Sequence, residues 1–121
     1  MATFKKVYNV TRDELILPRG KWCNNPWCHF KGLMLRSSLP DDEGLIFVYG
    51  RESKMNASIH MLFVFFAIGV VWLNKDLQVV DAKLAKPWRP SYVPAKAAKY
   101  FIEANPYILD KVVVGDQLRF D

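Results

Sequence analysis

The chain has 121 residues, two cysteines and a formal charge of +5, from 17 basic and 12 acidic side chains. That length suits one domain with its own hydrophobic core, and two cysteines exclude a disulfide-dense scaffold. The N-terminal stretch MATFKKVYNVTRDELIL holds no apolar run long enough for a signal peptide, so a cytoplasmic protein is expected.

In chain order, FKKVYNV and ELIL read as short strands with TRD between them. NNPWCHFKGLMLRSS reads as the one good helix: Asn25 can cap it, and Pro26 sits where a missing N–H costs nothing. Trp27, Phe30 and Met34 then fall on one face at helical spacing. LPDDEGLIFVYG is a turn and then a strand, Leu45 to Tyr49, and RESKMN is a polar loop. Met61 to Leu73 is a run of thirteen apolar or glycine residues. A membrane-spanning helix needs roughly 20. Its aromatic and β-branched residues predict strand, largely buried, from Phe63 to Trp72. LNKDLQ supplies a turn, and Gln78 to Leu84 continues as a second strand, giving a central hairpin over Val70 to Leu84. SYVPAKAAKYFIEANP is ambiguous: its alanines favour helix, whereas KYFIEA alternates like a strand. ILDKVVVGDQLRFD reads as a short helix, a turn at Gly115-Asp116 and a closing strand.

Part of this pattern resembles the domain-of-unknown-function family number 192, over about residues 28–120. The most specific match is KGLMLRSSLPDDEGLIFVY, similar to that family's G-L-M-x-R, Leu-Pro, Gly and F-V-F order. KYFIEA and the late Gly115-Asp116 also match. The resemblance implies a compact β-sandwich or barrel-like single domain with one or two short helices, and it implies no reaction. This chain also departs from the family. Many members carry W-M-K-N-T and then P-L-D where it has His60-Met61-Leu62-Phe63-Val64 and Ala67-Ile68-Gly69, so the polar groups of both motifs are replaced.

Four constellations could carry chemistry. Cys23, Cys28 and His29, with His60 as a fourth, form an incomplete zinc set with no second cysteine pair, so structural roles are expected and no metal. A Cys–His nucleophile pair would need His60 as its base, because adjacent helical residues diverge. Arg36 and Glu103 read as a half-buried ion pair, or else as polar anchors of a binding cleft with His60 and Tyr92. Lys83, Lys86, Arg89, Lys96 and Lys99, with Trp88, Tyr92 and Tyr100 interleaved and no acid among them, read as a solvated loop or an anion or nucleic-acid surface. Of these, a loop with charges scattered over two faces and Trp88 mostly covered is expected.

The glycines are scattered singly and form no phosphate-binding loop, so no cofactor is expected. The favoured reading is a non-catalytic binding or interaction module with an unidentified ligand or protein partner. The alternatives are a small-molecule enzyme using Arg36, His60 and Glu103, and a nucleic-acid or anion binder using residues 83–99.

Overall fold

The computed structural model describes residues 3–121. Its seven strands are β1 (Phe4–Asn9), β2 (Glu14–Cys23), β3 (Glu43–Ser53), β4 (Ile68–Leu73), β5 (Val79–Ala85), β6 (Ala98–Ala104) and β7 (Leu118–Phe120). A six-residue helix α1 (Pro26–Lys31) follows β2, and a 3-10 turn of helix (Pro106–Lys111) follows β6. The strands form one sheet in the order β5-β4-β6-β3-β2-β1-β7. Its neighbours are antiparallel except β2 and β3, which run parallel. The sheet curls until its ends meet: Gln78 bridges Gln117, and Leu118 N–H donates to Leu77 O at 2.9 Å. This barrel-like, mainly β fold matches the expected class.

Strand alternation gives each face its own core. Ile46, Val71, Leu73, Ile102 and Ala104 point to the concave side, where Val7, Leu17, Ile108 and Leu118 close over them. Leu45, Phe47, Val70, Trp72 and Phe101 point the other way and are covered by Leu33, Ala57, Ile59, Met61 and Val64 from the connecting segments. Trp72 is fully buried there, and its indole N–H donates to Ala57 O at 2.7 Å.

The β4–β5 hairpin forms as expected. Asn74 Oδ1 accepts from the backbone N–H of Asp76 at 2.9 Å and Gln78 at 3.0 Å, which fixes its turn. The hairpin is not central, however, because β5 is an edge strand. KYFIEA resolves as strand, in β6. It has partners on both sides, β3 and β4, which supply backbone bonds that an isolated helix there would lack.

Two expectations are corrected. Strand begins at Ile68, not Phe63. Residues 61–66 form a lid instead: Val64 N–H donates back to Met61 O, and Phe63 takes a left-handed φ of 61°. Met61 and Val64 face the core while Leu62, Phe63 and Phe65 face outward. The apolar run is continuous because both sides of this lid are apolar, not because every residue belongs to a buried strand. The helix is also shorter than expected, ending at Lys31, and its stripe is not buried: Trp27 and Phe30 are 69% and 63% exposed.

Candidate functional site

Glu103 lies on β6 in the middle of the sheet. Its cross-strand neighbours are Leu45 on β3 and Val70 on β4, both apolar. The side chain is buried, and burial alone pushes its carboxyl up to about 8, with no hydrogen bond or neighbouring charge contributing. Phe47 and Tyr49 share its face of the sheet, on β3. Tyr49 is pushed up to about 12, first by burial and then by the negative charge that Glu103 carries at high pH.

The roof over Glu103 is α1 and the turn that ends it. Asn25 Oδ1 caps the helix by accepting from Cys28 N–H at 2.9 Å. A disulfide joins Cys23, at the end of β2, to Cys28. His29 Nε2 is 2.9 Å from Cys23 O, and its ring lies 4.4 Å from that of Tyr49. Gly32 ends the helix at φ 47°, a conformation that favours glycine. A Cβ there would stand 3.4 Å from Phe47 Cζ and 3.7 Å from Glu103 Oε1, so the bare backbone comes down onto the carboxyl.

The lid supplies the remaining wall. His60 Nδ1 is buried without a hydrogen-bond partner among the described residues. Between roof, lid and sheet is a cavity of about 50 Å³, bordered by Glu103, His60, His29, Tyr49, Phe101 and Val64. Phe47 and Phe101 stack at 4.4 Å behind it. That volume admits one or two water-sized groups. The site is thus a small aromatic box holding one carboxyl and one imidazole nitrogen, neither with a partner among the described residues.

Of the residues singled out in the sequence, the cavity brings together His29, His60 and Glu103. Arg36 lies in a separate cleft and makes no ion pair with Glu103, which corrects the ion-pair expectation. Tyr92 bonds to Ile59 through its backbone, and its hydroxyl accepts from Lys86 N–H at 2.8 Å. Of the basic stretch, Lys83 sits on β5, 3.4 Å from Asp81 and over the Trp72 ring. Lys99 lies on β6 over Tyr100. Lys86, Arg89 and Lys96 are exposed on the intervening loop. Trp88, expected to be covered, is 49% exposed beside Phe63 and Phe65.

The cysteines, read as separate structural residues, are bonded to each other, so neither sulfur is a free thiolate for zinc or for nucleophilic attack. Sequence reasoning passed over Tyr49, and it weighed His29 only beside the two cysteines, not as a wall of this cavity. The alternation Leu45-Phe47-Tyr49 against Phe101-Glu103 would have put Tyr49 on the same face of the sheet as Glu103 once both segments were taken as paired strands, with Leu45 directly opposite the carboxyl.

A curled-sheet domain with a roofed, buried carboxyl on its outer face is the class that fold and site define. The chain belongs to the DUF192 family, described as an uncharacterized ACR, whose pattern it matches over residues 16–120. It is 40% identical over 115 residues to the UPF0127 protein of Pyrococcus furiosus, covering 93% of this chain and 96% of that one. It is 36% identical over 115 residues to a UPF0127 protein of Thermococcus sibiricus, covering 93% and 73%. Against that of Thermococcus kodakarensis it is 49% identical over 97 residues, covering 80% and 60%. Two crystal structures share the fold. A protein of unknown function from Novosphingobium aromaticivorans superposes with a TM-score of 0.82 at 20% identity, covering 98% of this chain and 84% of that one. A protein described as a putative transcription regulator, from Sinorhizobium meliloti, superposes with a TM-score of 0.85 at 17% identity, covering 98% of this chain and 95% of that one. No helix among the described residues is long and apolar enough to cross a membrane.

Proposed function

We propose that this chain is a non-catalytic binding module, and that its cavity receives a small cationic end group such as a primary ammonium. One observation carries the reading: a carboxyl borders the cavity with neither a hydrogen bond nor a counter-charge among the described residues. Buried charges are normally paired, and this carboxyl instead stays protonated at neutral pH, so an entering cation would supply the partner that its charged form lacks. An ammonium would give Glu103 its counter-ion, can donate to His60 Nδ1, and would meet the aromatic wall of Phe47, Tyr49 and Phe101. The small volume suits the tip of a ligand and leaves the rest of it outside.

The enzyme reading has less support, because Arg36 lines another cleft and cannot act with His60 and Glu103 without a rearrangement. The nucleic-acid reading is weakened by Lys83, whose charge is met by Asp81. The disulfide suits an oxidising compartment, or the interior of hyperthermophilic archaea, where intracellular disulfides are common. The Pyrococcus and Thermococcus relatives favour the latter, so cytoplasmic placement remains part of the proposal.

Methylammonium is the direct probe. Binding followed by chemical-shift changes of the His60 and Tyr49 rings should strengthen between pH 6.5 and 8.5, because entry of the cation must displace the Glu103 proton. Glu103→Gln should abolish it. Binding that ignores pH, that survives in Glu103→Gln, or that is absent up to high millimolar concentration would sink the reading.

A further inference from the structure

On the far side of Lys31 and Gly32 lies a second and larger cleft, of about 430 Å³, between α1 and the start of the sheet. Its charged lining is Lys21 from β2, Lys31 from α1 and Arg36 from the segment after it, with no acid among the lining residues. None of the three makes a salt bridge among the described residues. Arg36 is half-buried, so its guanidinium is partly desolvated without a counter-ion. Two indoles also line the cleft, and Trp27 is 69% exposed. An exposed indole and three cationic residues with no acid among them thus line one cleft, a combination that suits an anion carrying an apolar ring.

We infer that this cleft is an anion site for a phosphomonoester carrying a planar ring, of mononucleotide size. Each part of that description answers a feature of the cleft. A phosphomonoester carries close to two negative charges at neutral pH, which a cleft lined by three cationic residues matches better than a single carboxylate does. The guanidinium of Arg36 offers a planar fork that pairs with phosphate oxygens two at a time, while Lys21 and Lys31 act as point charges. The indole of Trp27 offers a face on which a ring can stack. The volume lies in the range that small-molecule sites occupy. The cleft shares Lys31 and Gly32 with the Glu103 cavity but holds neither Glu103 nor His60, and it is opposite in charge preference, so nucleotide and methylammonium probe the two proposals separately.

The test titrates the full chain with adenosine monophosphate and follows tryptophan fluorescence. Ribose 5-phosphate and adenosine serve as half-ligands, and inorganic phosphate as the competitor. We expect saturable quenching by the whole nucleotide, weaker or silent binding by each half, competition by phosphate, and loss of affinity with added salt. Arg36→Lys, which keeps the charge and loses the fork, should weaken binding roughly tenfold. The surface change Lys31→Gln should weaken it as well without altering the melting temperature, which guards against a folding defect at Arg36. Absence of saturable quenching at millimolar nucleotide would overturn the inference. So would equal affinity in Arg36→Lys and Lys31→Gln, or binding that only long single strands achieve.

Discussion

If burial holds the Glu103 carboxyl up to about 8, removing its ability to ionise should change how the fold responds to pH. The ordinary glutamate value is 4.5. Between those two values the folded chain holds a proton at this site that the unfolded chain has released. The native state then binds more protons than the unfolded one, so stability falls as pH rises across that window and is flat above it. The full displacement is worth on the order of 5 kcal/mol, at about 1.4 kcal/mol per pH unit. Total stabilities of domains this size run about 5–15 kcal/mol, so this one group should dominate the alkaline limb. Glu103→Gln keeps the shape and stays neutral at every pH.

The assay is thermal or urea unfolding at half-unit steps from pH 5 to pH 9. The native sequence should lose on the order of 10 °C or more in melting temperature across that range. Glu103→Gln should lose far less and should be the more stable protein at pH 8.5. Both imidazoles remain in the variant, so any slope they cause persists and subtracts out. Parallel curves for the two proteins would refute the argument, because they would mean that Glu103 ionises as freely in the fold as in water.

Three shorter tests address the frame around the site. Trp72→Ala empties the fully buried centre of the outer core and strands Ala57 O, so it should cost about 3–5 kcal/mol by urea unfolding. Reducing the Cys23–Cys28 bridge, which closes a loop of sequence separation 5, should cost about 2 kcal/mol; a Cys23→Ser, Cys28→Ser chain should show the same loss with no further response to reductant. Gly69→Asp restores the acid that relatives carry in P-L-D, yet a Cβ there would stand 2.5 Å from Ile108 Cγ2. Overpacking and a buried carboxylate together should cost at least about 3 kcal/mol, and an unchanged melting temperature would show that the 3-10 turn yields easily.

What the sequence disclosed was governed by local rules. The β4–β5 hairpin was legible because Val70 to Leu73 is β-branched and apolar and Asn74 opens a polar turn. The cap of α1 was legible because Asn25 and Pro26 act within one helical turn. The misreadings came where distant chain decides. Nothing near Phe63 says that Leu35 N–H will donate to its carbonyl, or that Met61 will bond to Arg89 and Trp88. Those bonds hold residues 61–66 as a lid in place of a strand. Arg36 and Glu103 both fall in the family-like segments, and their opposite charges suggest a pair. In the fold Gly32 lines both cavity and cleft, with Glu103 on the cavity side and Arg36 on the cleft side. The disulfide was open to geometry alone, since a spacing of five does not reveal that the helix start folds back on the end of β2.

The replaced family motif also bears on the chemistry of the cavity. Of the positions where relatives carry Lys, Asn and Thr, Leu62 and Phe63 face outward here, whereas Val64 is buried and lines the cavity with Glu103. Only the last replacement therefore changes what the carboxyl meets. Threonine has nearly the shape of valine but would put a hydroxyl in the cavity wall. A hydroxyl that donates to the carboxylate favours its charged form. Val64→Thr should accordingly draw the Glu103 titration down from about 8, shrink the pH dependence of stability, and let methylammonium bind at lower pH than in the native chain. The Glu103 side-chain carbonyl followed by carbon-detected NMR across pH 4–10 reads this directly. An unchanged titration in Val64→Thr would mean that the hydroxyl turns away from the cavity, and that the missing partner of Glu103 does not come from this departure.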